Sequence, residues 1–256
     1  MKPAKSILII LMVMVFLAGA GFAAYPHILG AHVNEEIRQE AAGFLETTAD
    51  PTEERVVATE ELESREHAEL WNAMCQYNQS LWENEQSGLC DPWSYQQPSF
   101  RLTDYDVKDE VFGVLSIPKI SLKMPIYLGA TEDHMALGAA HLSQTSLPIG
   151  GSNSNSVIAG HRGWNGAYYF RYVPDLVPGD EVTITNLWET LHYTVVDVQI
   201  IAPNDVDAIR IQPGRDMVTL LTCHPYASGG KQRYLVFCER VSREDNQFEE
   251  NKERER

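Results

Sequence analysis

The chain is poor in basic residues: 20 Lys and Arg stand against 36 Asp and Glu, and the formal net charge is −16. Nucleic-acid phosphates attract basic surfaces, so this balance argues against a nucleic-acid partner. No pair of His or Cys has the spacing of a zinc site, and no acidic loop has the spacing of calcium ligands. We therefore expect no required metal and no cofactor. The chain also lacks internal repeats, and its 256 residues allow one good-sized core with appendages.

The N-terminus carries a long apolar run. Residues 7–24 contain no charged residue and follow Lys2 and Lys5. This length just reaches that of a bilayer span, and the lysines favour a cytoplasmic N-terminus with the remainder exported. Two interpretations stay open. Residues 1–27 form either a retained transmembrane anchor, which we prefer because the run is longer than a usual signal core, or a signal peptide cleaved near the small residues 18–24.

The two segments that flank the central part of the chain are polar. Residues 28–86 are acidic and show helical spacing, which predicts one or two helices broken near Asp50-Pro51. We expect Trp71, Tyr77 and Trp82 to pack this region on the rest of the protein, with an unpacked stalk as the alternative. Residues 243–256 are almost all polar or charged, and we expect a solvated tail that cannot span a membrane.

Between these segments the pattern changes to short apolar runs bounded by Gly, Pro, Asn and Asp. Residues 87–100 form a loop with two prolines, and residues 101–242 contain the strand-like runs. Several short strands with few helices predict a closed or sandwiched β-sheet. Two short helices are predicted at Glu132–Leu137 and Ala167–Tyr172.

Three residues that suit acyl transfer by a thiol stand at the ends of such runs. Cys223 ends the run Thr219–Cys223, Arg233 begins the run that continues to Phe237, and His161 follows Val157–Gly160. Strand ends can share one edge of a sheet, so the sequence predicts that thiol, imidazole and guanidinium meet there.

These residues lie in motifs that resemble those of the sortases, the cysteine transpeptidases of Gram-positive cell surfaces. Thr219–Cys223 resembles the TLxTC signature, Gly160-His161-Arg162-Gly163 resembles the histidine motif, and Arg233 stands where the family has its arginine. The resemblance runs from about Val111 to Val241 and is greatest for class C, the pilus-building sortases. It implies an eight-stranded β-barrel with short helices, preceded here by the helical segment and the transmembrane helix.

The resemblance also implies roles for these residues. Cys223 would attack a peptide carbonyl to form a thioester, His161 would move the protons, and Arg233 would stabilise the oxyanion or orient the substrate. Thr222 and His224 are secondary candidates beside the nucleophile. Arg162 and Arg171 are plausible helpers, although we favour structural roles for them.

Asp91-Pro92-Trp93 resembles the lid motif of class C. The resemblance implies that Asp91 pairs with Arg233 and that Trp93 covers Cys223 until a substrate displaces the loop. The alternative is an ordinary surface turn. Cys75 and Cys90 flank the turn before this loop, and a disulfide between them and two free thiols both stay open.

The resulting hypothesis is a single-pass membrane enzyme with an extracellular catalytic domain. It would cleave an LPxTG-type sorting motif and transfer the acyl group to a lysine amine of another pilin. A housekeeping-type sortase that attaches proteins to peptidoglycan is the enzymatic alternative, and an inactive β-barrel adhesion module is the alternative from another class. A papain-like hydrolase is disfavoured, since neither a recognisable orienting Asn or Asp motif after the histidine nor a papain-like order of strands and helices is apparent.

Overall fold

The computed structural model describes residues 2–48, 67–89, 97–108 and 110–241. Its three α-helices are α1 (Lys2–Thr47), α2 (Ala68–Glu83) and α3 (Glu132–Leu137). The eight strands are β1 (Val111–Ile117), β2 (Leu122–Leu128), β3 (Ala139–His141), β4 (Ser154–Ala159), β5 (Glu181–Asn186), β6 (Thr190–Ile201), β7 (Asp216–His224) and β8 (Gln232–Arg240).

The strands close into a barrel in the order β1-β2-β3-β4-β7-β8-β6-β5. The predicted eight-stranded barrel with short helices is therefore confirmed. Most neighbours are antiparallel, but β2 pairs with β3 and β4 pairs with β7 in parallel. The β4–β7 pairing matters for the site, because it brings the carboxyl ends of two separate strands to one edge of the barrel.

Alternation along the strands divides the core into an inner and an outer layer. One cluster takes residues from all eight strands and fills the barrel, with Ile158, Leu220 and Val236 among its members. A second cluster covers the outer face of β4, β7 and β8 and includes Leu221 and Leu235. Both faces of β7 are thus buried, which explains why its sequence is a nearly continuous apolar run instead of an alternating one.

The two long helices pack outside the barrel. Ala41 and Phe44 of α1 pack against β1 and β2, so the helix contacts the barrel with its C-terminal part. The helix continues without interruption across residue 27, where the sequence analysis divides the anchor from the acidic segment. Its N-terminal part, from Ile7 onward, is exposed and is the one stretch of the described residues that is long and apolar enough to cross a membrane.

Helix α2 packs as predicted, through Leu70 and Met74, which are fully buried. Trp71 makes an edge contact with Trp188, with ring centroids 4.9 Å apart. Trp82 follows Trp71 by about three helical turns on nearly the same side of α2, but it packs less fully than predicted and is 37% exposed. The predicted break near Asp50-Pro51 lies outside the described residues.

The two predicted short helices have different outcomes. The helix at Glu132–Leu137 is confirmed and begins after Thr131, whose side chain accepts a hydrogen bond from the His134 N–H. The helix predicted at Ala167–Tyr172 is wrong, because that segment is a series of turns. Tyr169 has a positive φ of 42°, and the Phe170 N–H donates to the carbonyl of His161 instead of to a helical partner.

Candidate active site

Cys223 and Arg233 lie directly opposite each other at the ends of β7 and β8. Directly opposite residues of an antiparallel pair project from the same face of the sheet. Alternation puts both on the outer face, in line with Leu221 and Leu235, which belong to the outer cluster. The strand register thus brings the thiol and the guanidinium together, as the sequence predicts.

His161 lies beside Cys223 on the other side of β7. Ala159 pairs with Leu221, and the Gly160 N–H donates to the Leu221 carbonyl at 3.1 Å, so the chain beyond β4 continues along the end of β7. Thr222 secures this arrangement, since its buried hydroxyl donates to the Gly160 carbonyl at 2.8 Å. The Thr222 side chain therefore faces away from that of Cys223, and its hydrogen bond holds the histidine motif against β7.

Gly160 and the surrounding aromatic residues set the position of the His161 ring. A Cβ on Gly160 would lie 2.6 Å from the ring of Phe170, so a larger residue would push the motif away from the barrel. The imidazole packs against Trp164, with ring centroids 5.3 Å apart, and meets the edge of Tyr169 at 5.8 Å. Aromatic packing from two sides restricts the ring to a narrow range of orientations.

The Arg233 guanidinium is held by backbone oxygens at the base of the β7–β8 loop. The side chain is 2% exposed, and its Nη1 donates to the carbonyls of Gly230, at 2.6 Å, and Gln232, at 3.1 Å. These bonds fix the guanidinium close to the thiol, and its charge lowers the pKa of Cys223 against the larger effect of burial. The planar guanidinium carries five N–H donors in a fixed fork, a geometry that suits a carboxylate, a peptide oxygen or an oxyanion.

Burial dominates the electrostatics of the Cys–His pair. It raises the pKa of the Cys223 thiol, and the charges of Arg233 and Arg162 offset part of that increase. Burial lowers the pKa of His161. Both directions favour the uncharged forms, a thiol and a neutral imidazole.

Arg162, one of the two arginines predicted as helpers near the site, contacts the nucleophile's backbone and the residue after it. Its Nη1 donates to the Cys223 carbonyl at 3.3 Å and to Nδ1 of His224 at 2.8 Å. His224 therefore serves as an acceptor at Nδ1, and both burial and the adjacent Arg162 lower its pKa. The sequence signal for this position is that Arg162 directly follows His161, and its bonds hold the backbone and the side chain that follow the nucleophile.

The other candidates fall into three groups. Arg171 is exposed and stacks on Tyr226 instead of reaching the thiol, with its guanidinium 4.8 Å from the ring centre. Cys75 is on the exposed side of α2, while Cys90, Asp91, Pro92 and Trp93 lie outside the described residues, so the disulfide and the lid stay predictions. Within the described ranges, no group of three His, Cys, Asp or Glu residues could hold a metal ion.

The ends of the proposed lid are fixed on the barrel. Leu89 is buried in the outer cluster together with Leu221 and Leu235. On the other side, the Gln97 carbonyl accepts a hydrogen bond from the Ser143 hydroxyl at 2.8 Å. The segment between them therefore starts on the same outer face that carries Cys223.

Comparisons with known proteins agree with this geometry. The Sortase domain family model matches residues 115–241. Sortase D of Bacillus subtilis is 29% identical over 132 residues, which cover 51% of this chain and 64% of that protein. The structure of sortase C-1 from Actinomyces oris is 35% identical and covers 69% of this chain and 99% of that one, with a TM-score of 0.61. The pilus-related sortase C of Group B Streptococcus is 30% identical, with 67% and 91% covered and a TM-score of 0.57. The chain spans less than two thirds of the length of the curated relatives that it matches.

Proposed function

Since the chain belongs to the sortase family, we propose that it is a membrane-anchored cysteine transpeptidase that polymerises pilins. It would cleave an LPxTG-type sorting motif between Thr and Gly and join the Thr carbonyl to a lysine amine of another pilin. One observation carries this proposal: Cys223 at the end of β7 has Arg233 opposite it on β8 and, on its other side, the end of β4, from which the chain continues to His161.

The first half of the reaction would form a thioester. In the minor form in which the Cys223 proton has passed to His161, the thiolate attacks the Thr carbonyl carbon, and the negative charge on the resulting tetrahedral oxygen is stabilised by Arg233. Collapse of this intermediate breaks the Thr–Gly bond. His161, as imidazolium, protonates the departing Gly amine and becomes neutral.

The second half would return the enzyme to its starting state. The neutral lysine amine attacks the thioester carbon, and the neutral His161 accepts the proton that this amine loses. The second tetrahedral intermediate then expels the Cys223 thiolate and leaves an amide bond between two pilins. No proton or bond is lost over the cycle, so the enzyme requires no cofactor.

Two features support a pilus-building role over attachment to peptidoglycan. Similar solved structures include sortase C-1 and a pilus-related sortase C. In addition, Asp91-Pro92-Trp93 follows Leu89, which is anchored on the face of Cys223. In this proposal the loop is a lid that shields the thiol from water and small nucleophiles until a pilin displaces it.

The apolar part of α1 would hold the enzyme in the membrane. Its most apolar stretch has a mean hydropathy of 2.7, and none of that stretch is buried in the protein. Lys2 and Lys5 precede it, which favours a cytoplasmic N-terminus and a barrel outside the cell. The barrel would then work where exported pilins emerge.

A reconstitution experiment tests this function. The full chain in nanodiscs is incubated with candidate pilins from the same genome, and the products are separated under denaturing conditions. We expect a ladder of covalent oligomers that is lost with Cys223→Ala and His161→Ala. His192→Ala is the matched control, because this histidine is half-exposed on β6, where its side chain pairs with Glu181; it should leave the ladder intact.

The alternatives predict different products. A Cys223-dependent monomer joined to a peptidoglycan-like amine, without a ladder, would favour the housekeeping role. A Cys223-dependent, water-cleaved monomer alone would favour hydrolysis. Absence of any Cys223-dependent cleavage would support the inactive adhesion module and would refute the enzyme.

A further inference from the structure

Three large aromatic side chains are exposed on the loop that carries His161. Within residues 160–172, here called the histidine loop, Trp164 is 45% exposed, Tyr168 51% and Tyr172 41%. The rings of Tyr168 and Tyr172 are 5.6 Å apart and form one surface. These three residues are the aromatic patch. Exposed apolar patches of this kind usually mark a surface that contacts another partner.

The histidine loop is docked on the membrane-proximal part of α1. The backbone of Gly166 lies so close to α1 that a Cβ on it would overlap with the Pro26 carbonyl, and a Cβ on Gly30 would overlap with Gly166. The Tyr168 N–H donates to the side-chain oxygen of Asn34 at 2.9 Å. Pro26, Gly30 and Asn34 are four residues apart and share one face of the helix.

This contact fixes the height of the loop relative to a bilayer. The apolar run of α1 ends at Ala24. At about 1.5 Å per residue, Pro26 lies about 3 Å and Gly30 about 9 Å beyond that end. The headgroup region adds roughly 5–8 Å on each side of the hydrocarbon core. The histidine loop therefore lies at the level of the lipid headgroups when α1 spans the membrane.

The amino-acid composition of α1 and of the histidine loop, where the two meet, suits a position at the lipid headgroups. No Asp, Glu, Lys or Arg occurs in α1 between Lys5 and Glu35, so the uncharged surface of the helix extends through the contact with the loop. Tyr and Trp are the residues that membrane proteins concentrate in the interfacial region. Arg171, beside the aromatic patch in sequence, is exposed and offers a positive charge to lipid phosphates.

We propose that the aromatic patch is a lipid-contact surface that rests on the outer leaflet and holds the histidine loop at the membrane. This inference rests on the proposed membrane anchoring by α1. Because Trp164 packs against the His161 ring, the same contact keeps the imidazole, and hence the acyl-transfer site, at the lipid surface. The partner is the interfacial region of the bilayer into which α1 inserts.

Quenching of tryptophan fluorescence tests the contact directly. The full chain is placed in nanodiscs of phosphatidylcholine and phosphatidylglycerol, with or without bromine on the acyl carbons nearest the headgroup. The first Trp of the chain is Trp71, so the transmembrane part of α1 contributes no signal. We expect brominated lipid to quench the wild-type emission and Trp164→Phe to remove most of that quenching. Trp82→Phe is the matched control, since Trp82 is similarly exposed but is on α2; its quenching should equal that of the wild type.

A glycine pair tests the docking on α1. Gly30→Ala introduces a Cβ that overlaps with Gly166, whereas Gly43→Ala adds one to the same helix in open space. We expect Gly30→Ala to reduce the Trp164-dependent quenching and Gly43→Ala to leave it unchanged. Equal quenching in all four variants would overturn the inference.

Failure of the proposed membrane anchoring can be distinguished from failure of the lipid contact alone. If the chain does not insert into nanodiscs and is removed by alkaline carbonate, the anchoring fails and this inference fails with it. If the chain inserts and still cleaves a sorting peptide, but Trp164→Phe is quenched as strongly as the wild type, the lipid contact alone is refuted.

Discussion

Arg233 lies directly opposite Cys223 across the β7–β8 ladder, and both project from the outer face of the barrel. Its guanidinium is held by the carbonyls of Gly230 and Gln232, which accept hydrogen bonds but carry no full charge. The positive charge lowers the pKa of the Cys223 thiol against the larger effect of burial.

We expect Arg233→Met to lower kcat/KM for a sorting peptide by about 100-fold to 1,000-fold, as loss of one oxyanion donor does in other acyl-transfer enzymes. Arg233→Lys should recover only part of this loss, because an ammonium lacks the planar fork. The measurement is single-turnover acylation followed by mass spectrometry. Arg210→Met is the matched control, since Arg210 pairs with the exposed Asp207; a similar loss in that variant would refute the specific role.

The thiol reactivity should depend on both nearby arginines. Their charges lower the pKa of Cys223 against the larger effect of burial, so Arg162→Met and Arg233→Met should each raise that pKa further. At pH 7–8 a higher pKa leaves less thiolate, and alkylation by iodoacetamide becomes slower. Peptide-resolved mass spectrometry measures the rate at Cys223 from pH 6 to 10. A faster rate or a lower pKa in either variant would contradict this explanation.

The pH dependence of catalysis follows from the same directions. Burial raises the pKa of Cys223 and lowers that of His161, so the form with a thiolate and an imidazolium is a minor one at every pH. We expect kcat/KM to be bell-shaped, with the acid limb set by the lower pKa, that of His161, and the alkaline limb by the higher pKa, that of Cys223. Thiol alkylation without substrate should follow only the upper pKa. An alkylation profile with a dominant thiolate near pH 5 would show that an ion pair is present instead.

The short apolar runs predicted the strands, the family resemblance predicted the eight-stranded barrel, and strand ends are local features that place Cys223 opposite Arg233. The sequence could not predict the turns at Ala167–Tyr172, since the positive φ of Tyr169 and the bond from Phe170 to His161 depend on packing against α1 and the barrel. The same holds for Arg162, whose importance comes from a contact with residues more than sixty positions away. Helical spacing puts Trp82 near Trp71 on α2 but does not show how much of its side chain the neighbouring segments cover, and 37% of it is exposed.

The buried histidine of β3 should make stability depend on pH. His141 is 1% exposed, its Nε2 donates to the carbonyls of Thr145 and Ser146, and burial lowers its pKa to about 4. Above pH 6.5 neither the folded nor the unfolded chain is protonated at this residue, and its contribution to stability is fully present. Between pH 6.5 and 4 only the unfolded chain binds the proton, so the free energy of unfolding falls by up to about 3 kcal/mol. His141→Gln, which keeps a donor for the carbonyls but does not titrate, should show a smaller decrease in the urea midpoint over this range. Parallel pH profiles for the two proteins would refute the prediction.

The proposed lid should control access to Cys223. Its anchor points, Leu89 in the outer cluster and Gln97 bonded to Ser143, lie on the barrel. If Trp93 covers the thiol and Asp91 pairs with Arg233, then Asp91→Ala with Trp93→Ala should raise the rate at which a bulky maleimide labels Cys223. We expect an increase of about tenfold, which corresponds to the loss of about 1.4 kcal/mol from the closed state. The labelling rates of small and bulky reagents should differ most in the wild type, because a closed lid excludes large molecules more strongly than small ones. Trp82→Ala, which removes an exposed tryptophan from α2, is the control for a general loss of stability. Labelling at the wild-type rate in the double variant would mean that residues 91–93 do not cover the site.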